Sequence, residues 1–233
     1  MKHIPNMITC LNLFAGCLAC MMVLSYGSYI GALVFIILAA IFDFLDGFAA
    51  RMLKAYSPIG AQLDSLADVI SFGMAPAAIV YYFLHSITAG FPLREGICFF
   101  SFIITIFSAL RLAKFNIDTR QSNSFLGLPV PANGLFWAAF IPAIIPFAEG
   151  REVLFSVIIL ALIVVFCLLM VSEFPMFSLK LKDYGWKGNE FPYILINLTI
   201  LFILVFKTGG VSLVIVAYII LSLIKNTIPV KNG

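Results

Sequence analysis

Eight residues at fixed spacing concentrate carboxyl groups in one short stretch of a chain that is otherwise poor in charge. They read D-x2-D-G-x2-A-R-x8-G-x3-D-x3-D, and they are Asp43, Asp46, Gly47, Ala50, Arg51, Gly60, Asp64 and Asp68. Offsets of three, four and seven residues fall on one face of a helix. Two neighbouring helices would therefore aim four carboxylates at one point.

Four carboxylates in one pocket stay ionised only beside comparable positive charge, and hard divalent cations supply it. We therefore predict two divalent cations, Mg²⁺ or Mn²⁺, in a site that Ca²⁺ can also occupy. Such a site favours phosphoryl or phosphatidyl transfer, in which a further carboxylate can act as general base towards an alcohol. The alternative is structural ion pairing with nearby basic residues. It does not explain why four of the six aspartates fall within positions 43–68.

The elements that carry the aspartates must be two helices joined by a short loop. The first ends at Arg51, and the second begins at Ser57-Pro58, a good N-cap followed by a good first helical residue. At 1.5 Å per residue, Asp43 lies roughly 12 Å from its helix end, and Asp64 and Asp68 lie roughly 9 and 15 Å from theirs. The depths match, so the carboxylates can meet.

Composition places these helices in a membrane. The chain is 63% hydrophobic and 11% charged, with a mean hydropathy of +1.11, which excludes an ordinary soluble domain. We predict an all-α polytopic membrane protein with about eight transmembrane helices, at 7–25, 29–51, 57–84, 95–115, 132–148, 152–173, 191–206 and 209–226. The fifth is interrupted by Pro142 and Pro146, and the seventh barely crosses the hydrocarbon.

The loop charges predict an orientation. Eleven basic residues fall on one side and three on the other. The eleven are Lys2, Arg51, Lys54, Arg111, Lys114, Arg120, Lys180, Lys182, Lys187, Lys225 and Lys231, and the three are Arg94, Arg151 and Lys207. The excess puts both termini and the aspartates at the cytoplasmic face of the cell membrane, with the active site among the cytoplasmic halves of the first six helices. No basic and aromatic surface suited to nucleic acid is evident.

The eight-position pattern resembles the signature of the CDP-alcohol phosphatidyltransferases at every position. Further stretches resemble the membrane-integral phosphatidylserine synthases of that family. They are Pro5-Asn6-x2-Thr9-x2-Asn12, residues 63–76 (LDSLADVISFGMAP), 111–116 (RLAKFN), 125–132 (FLGLPVPA) and 175–180 (PMFSLK). This resemblance implies one domain over residues 1–233, with a catalytic core at about 1–180 and two additional helices at about 191–226.

The resemblance also implies the reaction and the role of each residue. L-Serine would attack the β-phosphate of CDP-diacylglycerol, giving phosphatidylserine and CMP. The metal ligands would be Asp43, Asp46, Asp64 and Asp68, and Asp68 would also be the general base. The CDP site would comprise Asn6, Thr9, Gly47, Ala50, Arg51 and Gly60. Arg111 and Lys114 are our candidates for the serine carboxylate or the diphosphate.

The partners expected are thus CDP-diacylglycerol, L-serine and membrane lipids, and a homodimer is left open. Three alternatives remain at this point. The first is another enzyme of the family, with an archaeal ether lipid donor or with glycerol phosphate or inositol phosphate as acceptor. The second is an intramembrane prenyltransferase, although its two aspartate motifs generally lie far apart in the chain. The third is a cation transporter, which would be expected to show paired broken helices or symmetric repeats.

Overall fold

The computed structural model describes residues 3–118, 125–177, 185–186 and 189–227, and it is helical almost throughout. The α-helices are α1 (Ile4–Leu24), α2 (Tyr29–Met52), α3 (Pro58–Asp68), α4 (Ala75–Ile87), α5 (Arg94–Phe99), α6 (Ile103–Ile117), α7 (Val130–Ala148), α8 (Glu152–Val171), α9 (Glu190–Phe206) and α10 (Thr208–Thr227). A π-helical turn (Val69–Met74) joins α3 to α4, and a 3-10 turn (Phe100–Phe102) joins α5 to α6. The all-α prediction is confirmed.

Seven of the described helical segments are long and apolar enough to cross a membrane. They are Ile4–Leu24, Tyr29–Met52, Pro58–Ile87, Arg94–Ile117, Val130–Ala148, Glu152–Val171 and Thr208–Thr227. The predicted fifth span continues as one helix through Pro142 and Pro146. The predicted seventh, Glu190–Phe206, is an apolar helix of 17 residues, about 25 Å long against a hydrocarbon core of about 30 Å. The crossing of the membrane by this helix, predicted at 191–206, therefore stays a prediction.

The loop between α2 and α3 forms as its residues predict. The Ser57 hydroxyl accepts a hydrogen bond from the Gly60 N–H at 3.0 Å, and Pro58 is the first residue of α3. Arg51 lies in the last turn of α2, where a cation complements the helix dipole. We call this end of the bundle, marked by Arg51 and Pro58, the aspartate end. The other end, marked by Ser28 and Glu149, is the opposite end.

Two local features were not predicted. The π-helical turn interrupts the third span directly after Asp68, and there the Ala75 N–H bonds five residues back, to the Ile70 carbonyl. Pro76 lacks the N–H that would continue regular α-helical bonding here, and π-turns recur at functional sites. The second feature is a pair of two-residue antiparallel strands, β1 (Phe125–Leu126) and β2 (Pro175–Met176).

Close helix contacts surround the π-helical turn. Gly134 of α7 lies so near that an added Cβ atom would sit 3.0 Å from the Phe72 Cα atom. On another side, an added Cβ atom on Gly73 would sit 3.0 Å from the Ser108 Cβ atom of α6. Helices in lipid gain stability mainly from such close packing, because lipid tails are as apolar as the side chains. The packing holds the segment that follows Asp68 in one place.

Candidate active site

Three of the four predicted carboxylates meet where the spacing predicts them and form an acid cluster, and Asp46 is not in that group. One carboxylate oxygen from each of Asp43, Asp64 and Asp68 lies within 4.8 Å of the other two. Asp68 is buried, and Asp43 and Asp64 are half-buried. Asp43 comes from α2 and the other two from α3, so the two helices do bring their carboxylates together. The fourth aspartate, Asp46, is also buried and is held by α1.

Helix α1 supplies hydrogen-bond donors to the acids, a contribution the aspartate pattern does not reveal. The Thr9 hydroxyl donates to Asp46 Oδ2 at 2.6 Å. The Asn12 amide Nδ2 donates to Asp68 Oδ1 at 3.1 Å. The family resemblance implies a nucleotide-binding role for Thr9 and no particular role for Asn12. The available signal was the spacing of Asn6, Thr9 and Asn12, three polar residues three apart on one face of an apolar helix.

The acid cluster suits a hard divalent cation. All its ligand atoms are oxygens, the type that Mg²⁺, Mn²⁺ and Ca²⁺ prefer. Among the described residues, Asp64 Oδ1 is buried and has no hydrogen-bond partner. A buried carboxylate oxygen without a partner is costly unless a cation compensates it. The residues present therefore fit a bound metal.

An open pocket adjoins the cluster at the aspartate end. It is lined by Pro5, Asn6, Thr9, Asp46, Gly47, Ala50, Ala55, Tyr56, Ser57, Gly60, Ala61 and Asp64. Five of the six residues predicted for the CDP site are in this lining. The sixth, Arg51, lies beside it, since its Nη1 atom would be 3.6 Å from a Cβ atom added to Gly47.

The two glycines of the pocket differ in what surrounds them. A Cβ atom added to Gly47 would meet only the flexible end of Arg51, so this glycine leaves open space. A Cβ atom added to Gly60 would lie 2.9 Å from both Asn6 Oδ1 and Ser57 Oγ. Gly47 therefore leaves room for a ligand, whereas the small size of Gly60 is needed for its close contact with Asn6 and Ser57.

The two basic residues of α6 differ as well. Arg111 is buried, and its guanidinium lies 5.3 Å from the centre of the Phe115 ring. Its Nε atom has no hydrogen-bond partner among the described residues. Lys114 instead donates to the Val171 carbonyl at 3.2 Å and lies 3.8 Å from a Glu173 carboxylate oxygen. Its ammonium is therefore engaged at the C-terminal end of α8.

A family comparison covers this whole site. The sequence profile described as CDP-alcohol phosphatidyltransferase matches residues 2–170. The chain belongs to this family. The region matched by the phosphatidyltransferase profile runs from α1 to the last turn of α8 and contains every residue of the acid cluster. Helices α9 and α10 lie beyond it.

Individual relatives carry more specific names. The chain is 34% identical over 206 residues to a CDP-diacylglycerol–serine O-phosphatidyltransferase of Helicobacter pylori, covering 85% of this chain and 81% of the relative. It is 39% identical over 139 residues to the protein of that name in Bacillus subtilis, covering 58% and 73%. An archaetidylserine synthase of Methanothermobacter thermautotrophicus is 33% identical over 139 residues, covering 59% and 57%.

The family prediction is therefore confirmed. Several predicted features lie outside the described residues: the loop cations Lys2, Arg120, Lys180, Lys182, Lys187 and Lys231, and the second half of the 175–180 stretch. The relatives' names give no support for a homodimer, which stays a prediction.

Proposed function

We propose that this chain transfers the phosphatidyl group of CDP-diacylglycerol to the hydroxyl of L-serine, releasing phosphatidylserine and CMP. The names of the bacterial relatives support serine as the acceptor. The observation that carries the proposal is the cluster of three carboxylate oxygens within 4.8 Å beside an open pocket in an apolar helix bundle. Ionisable groups within a membrane are expensive and usually functional.

Asp68 is the proposed general base. The serine hydroxyl oxygen forms a bond to the β-phosphorus of CDP-diacylglycerol, and the bond from that phosphorus to the oxygen shared with CMP breaks. The hydroxyl proton passes to Asp68, and CMP leaves with the bonding electrons. Asp68 suits this role because it is buried among the other acids and its position is fixed by Asn12.

The remaining acids would hold the cofactor. Asp43, Asp46, Asp64 and Asp68 are the proposed ligands of two divalent cations, which when bound would neutralise the diphosphate oxygens and favour departure of CMP. The Thr9 hydroxyl keeps one oxygen of Asp46 occupied, which fixes the orientation of that carboxylate. Mg²⁺ and Mn²⁺ fit the oxygen ligands better than a softer metal does.

The pocket would take the nucleotide half of the donor. Gly47 leaves space in which a phosphate can approach the α2 backbone, and Asn6, Thr9, Ala50 and Gly60 complete the proposed CDP site. Arg51 lies beside this space and offers a forked cation to the diphosphate.

The acceptor would need a cation for its carboxylate. Buried Arg111, with Nε free of a described partner, is the better candidate on this geometry. Lys114 would have to leave its contacts with Val171 and Glu173 to take part.

The setting of the enzyme follows from the helices. The chain is an integral membrane protein by the length and apolarity of its described helices. We place the aspartate end and both termini in the cytoplasm, since the basic loop residues concentrate there. We also treat residues 1–233 as one domain, in which the core of about 1–180 is extended by two helices at about 191–226.

The test is a transfer assay on the purified full chain. Radiolabelled L-serine, CDP-diacylglycerol and Mn²⁺ should yield a labelled chloroform-soluble product and equimolar CMP. Glycerol 3-phosphate and inositol phosphate should give none, and an ether-lipid donor in parallel shows whether the lipid chains matter. Transfer to one of the other acceptors in place of serine would refute the proposed function.

Two matched variants locate the activity. Asp68→Asn should abolish most of the transfer, whereas Glu152→Gln, which neutralises a carboxylate at the opposite end, should leave it intact. Equal activity in the two variants would remove the acid cluster from the mechanism.

A further inference from the structure

Asn12 is a fully buried amide in the middle of an apolar helix. Its relative exposure is 0%, and its Nδ2 atom donates to Asp68 Oδ1 at 3.1 Å. Among the described residues, its Oδ1 atom has no hydrogen-bond partner. One end of this side chain is thus engaged with the proposed base, and the other end is unpaired.

Burying an amide with one unpaired end lowers the stability of the fold, so an asparagine is expected here only if its N–H has a function. An ionised carboxylate only accepts hydrogen bonds, so the amide must turn its nitrogen towards Asp68. The buried carbonyl oxygen is then left unpaired, at a typical cost of about 1–3 kcal/mol. A leucine has a similar shape and would avoid that cost. Packing alone therefore does not account for an asparagine at this position.

A second contact fixes Asn12 against the same segment as Asp68. The Ser71 hydroxyl, in the π-helical turn, donates to the Asn12 backbone carbonyl at 2.9 Å. Gly16, one turn further along α1, makes this approach possible, because an added Cβ atom would sit 2.5 Å from Ser71 Oγ and 2.7 Å from its Cα. Asp68 and Ser71 are one helical turn apart, so Asn12 is attached to their segment by its side chain and by its backbone.

We propose that Asn12 is a positioning residue for the reaction: its amide N–H holds the Asp68 carboxylate in the orientation that receives the serine proton. The Ser71 contact and the small Gly16 keep α1 at the distance that this hydrogen bond requires. The inference rests on the proposed function, because it assigns Asn12 an action through the proposed base. Asn12 itself need not touch either substrate.

The test is Asn12→Leu in the full-length enzyme. The kcat for serine should fall about 10- to 100-fold, since small misplacements of a reacting group have effects of this size. The KM for CDP-diacylglycerol should change less than about threefold. The affinity for Mn²⁺, measured by calorimetry, should fall by a smaller factor than kcat, because the other three proposed ligands, Asp43, Asp46 and Asp64, do not depend on Asn12. The thermal midpoint should stay close to the wild-type value, because losing the N–H donor to Asp68 and removing an unpaired buried oxygen have opposite effects on stability.

The matched control is Asn197→Leu. Asn197 is an exposed residue of α9, and within the described part of the chain its Nδ2 atom donates to the Tyr193 carbonyl of its own helix. This variant should keep wild-type kcat. If Asn12→Leu does not fold, Asn12→Ala replaces it, since alanine removes the N–H without adding bulk.

Three results would overturn the positioning role. They are wild-type kcat in the Asn12 variant, a loss of Mn²⁺ affinity in step with kcat, and a fall of kcat together with thermal stability and donor affinity. The wild-type assay is read separately. If wild-type protein transfers to another acceptor but not to serine, the proposed function fails. The Asn12 role is then still tested, by comparing the variants with the acceptor that works. Wild-type protein inert towards every acceptor would defeat both.

Discussion

The two ends of the helix bundle each carry a pocket and carboxylates, yet they differ in how those groups are arranged. The opposite-end pocket is lined by Tyr29, Tyr82, Glu149 and Glu152, among others. Of the two acids in this lining, Glu149 lies in a loop and Glu152 in the first turn of α8. Glu152 accepts a hydrogen bond from the Gly150 N–H. At the aspartate end the acids lie inside two candidate spans, Tyr29–Met52 and Pro58–Ile87, and three of them meet within 4.8 Å.

The two ends differ in whether their carboxylates converge on one point. Carboxylates at a loop can be solvated by water and hydrogen-bonded by neighbouring N–H groups, so they need no ligand. At the aspartate end α1 donates to Asp46 and Asp68, while Asp64 keeps a buried oxygen free of any described partner. Acids that are fixed in place and incompletely satisfied suit a bound cation better than acids at a solvated helix end do.

The largest expected difference in turnover is between two variants that each neutralise one acid, Asp64→Asn at the aspartate end and Glu152→Gln at the opposite end. Asp64→Asn should lower turnover by roughly 10⁴-fold, because metal stabilisation of a phosphoryl transition state amounts to several kcal/mol. Mn²⁺ and CDP-diacylglycerol affinity should fall with it, as calorimetric titration of both would show. Glu152→Gln should stay within about twofold of wild type. If Asp64→Asn kept normal Mn²⁺ affinity, Asp64 would not be a metal ligand.

A smaller loss is expected at Asp68, where binding and chemistry should separate. Asp68→Asn should reduce kcat by roughly 10³-fold, within the range that a positioned general base contributes. Donor affinity should fall less than in Asp64→Asn, because the base acts mainly in the transition state. Equal losses in binding and turnover would mean that Asp68 serves only as a ligand.

Glycines in the two pockets provide a third comparison. Gly47 and Gly90 line opposite pockets, and an added Cβ atom meets only the end of Arg51 at one and nothing within 4 Å at the other. Both should therefore accept leucine without loss of fold. Gly47→Leu should weaken CDP-diacylglycerol binding roughly 100-fold, about 2.7 kcal/mol, by filling the phosphate space. Gly90→Leu should bind normally, and equal binding in the two variants would make the Gly47 space incidental.

The acid cluster could be predicted because helical periodicity links spacing directly to geometry. Asp43, Asp64 and Asp68 meet as their offsets and depths require, and Ser57 caps α3 as its residue type predicts. These inferences need only one helix or two helices joined by a short loop. They do not depend on how distant parts of the chain pack.

The contribution of α1 could not be predicted in the same way. Asn12 and Asp68 are 56 residues apart, and nothing in the aspartate spacing says which helix approaches them. Pro76 follows the π-helical turn after Asp68, and α1, α6 and α7 all pack closely against that turn, so the spacing of the aspartates does not predict it. Lys114 has the residue type and location for anion binding, but the end of α8 engages it.

The smallest expected effect concerns two buried threonines, one at each end. Thr9 and Thr88 both have a hydroxyl within hydrogen-bonding distance of the carbonyl four residues back in their own helix, Pro5 at 3.1 Å and Leu84 at 2.7 Å. Thr9 also has a charged acceptor, Asp46 Oδ2 at 2.6 Å, whereas the second partner of Thr88 is the Cys98 thiol at 3.7 Å. The shorter distance and the charge on Asp46 favour donation to the carboxylate.

Replacing each threonine by valine keeps the side-chain shape and removes only the hydroxyl. Thr9→Val leaves Asp46 free to rotate, so the affinities for Mn²⁺ and CDP-diacylglycerol should fall about tenfold, which corresponds to about 1.4 kcal/mol and suits a hydrogen bond to a charged group. Thr88→Val should leave both affinities unchanged, because the described partners of its hydroxyl, the Leu84 carbonyl and the Cys98 thiol, both lie at the opposite end. Calorimetry and thermal unfolding on the two variants separate the outcomes. If both valine variants lose similar stability and neither loses affinity, the Thr9 hydroxyl serves the helix alone, and the orientation of Asp46 must be set by other groups.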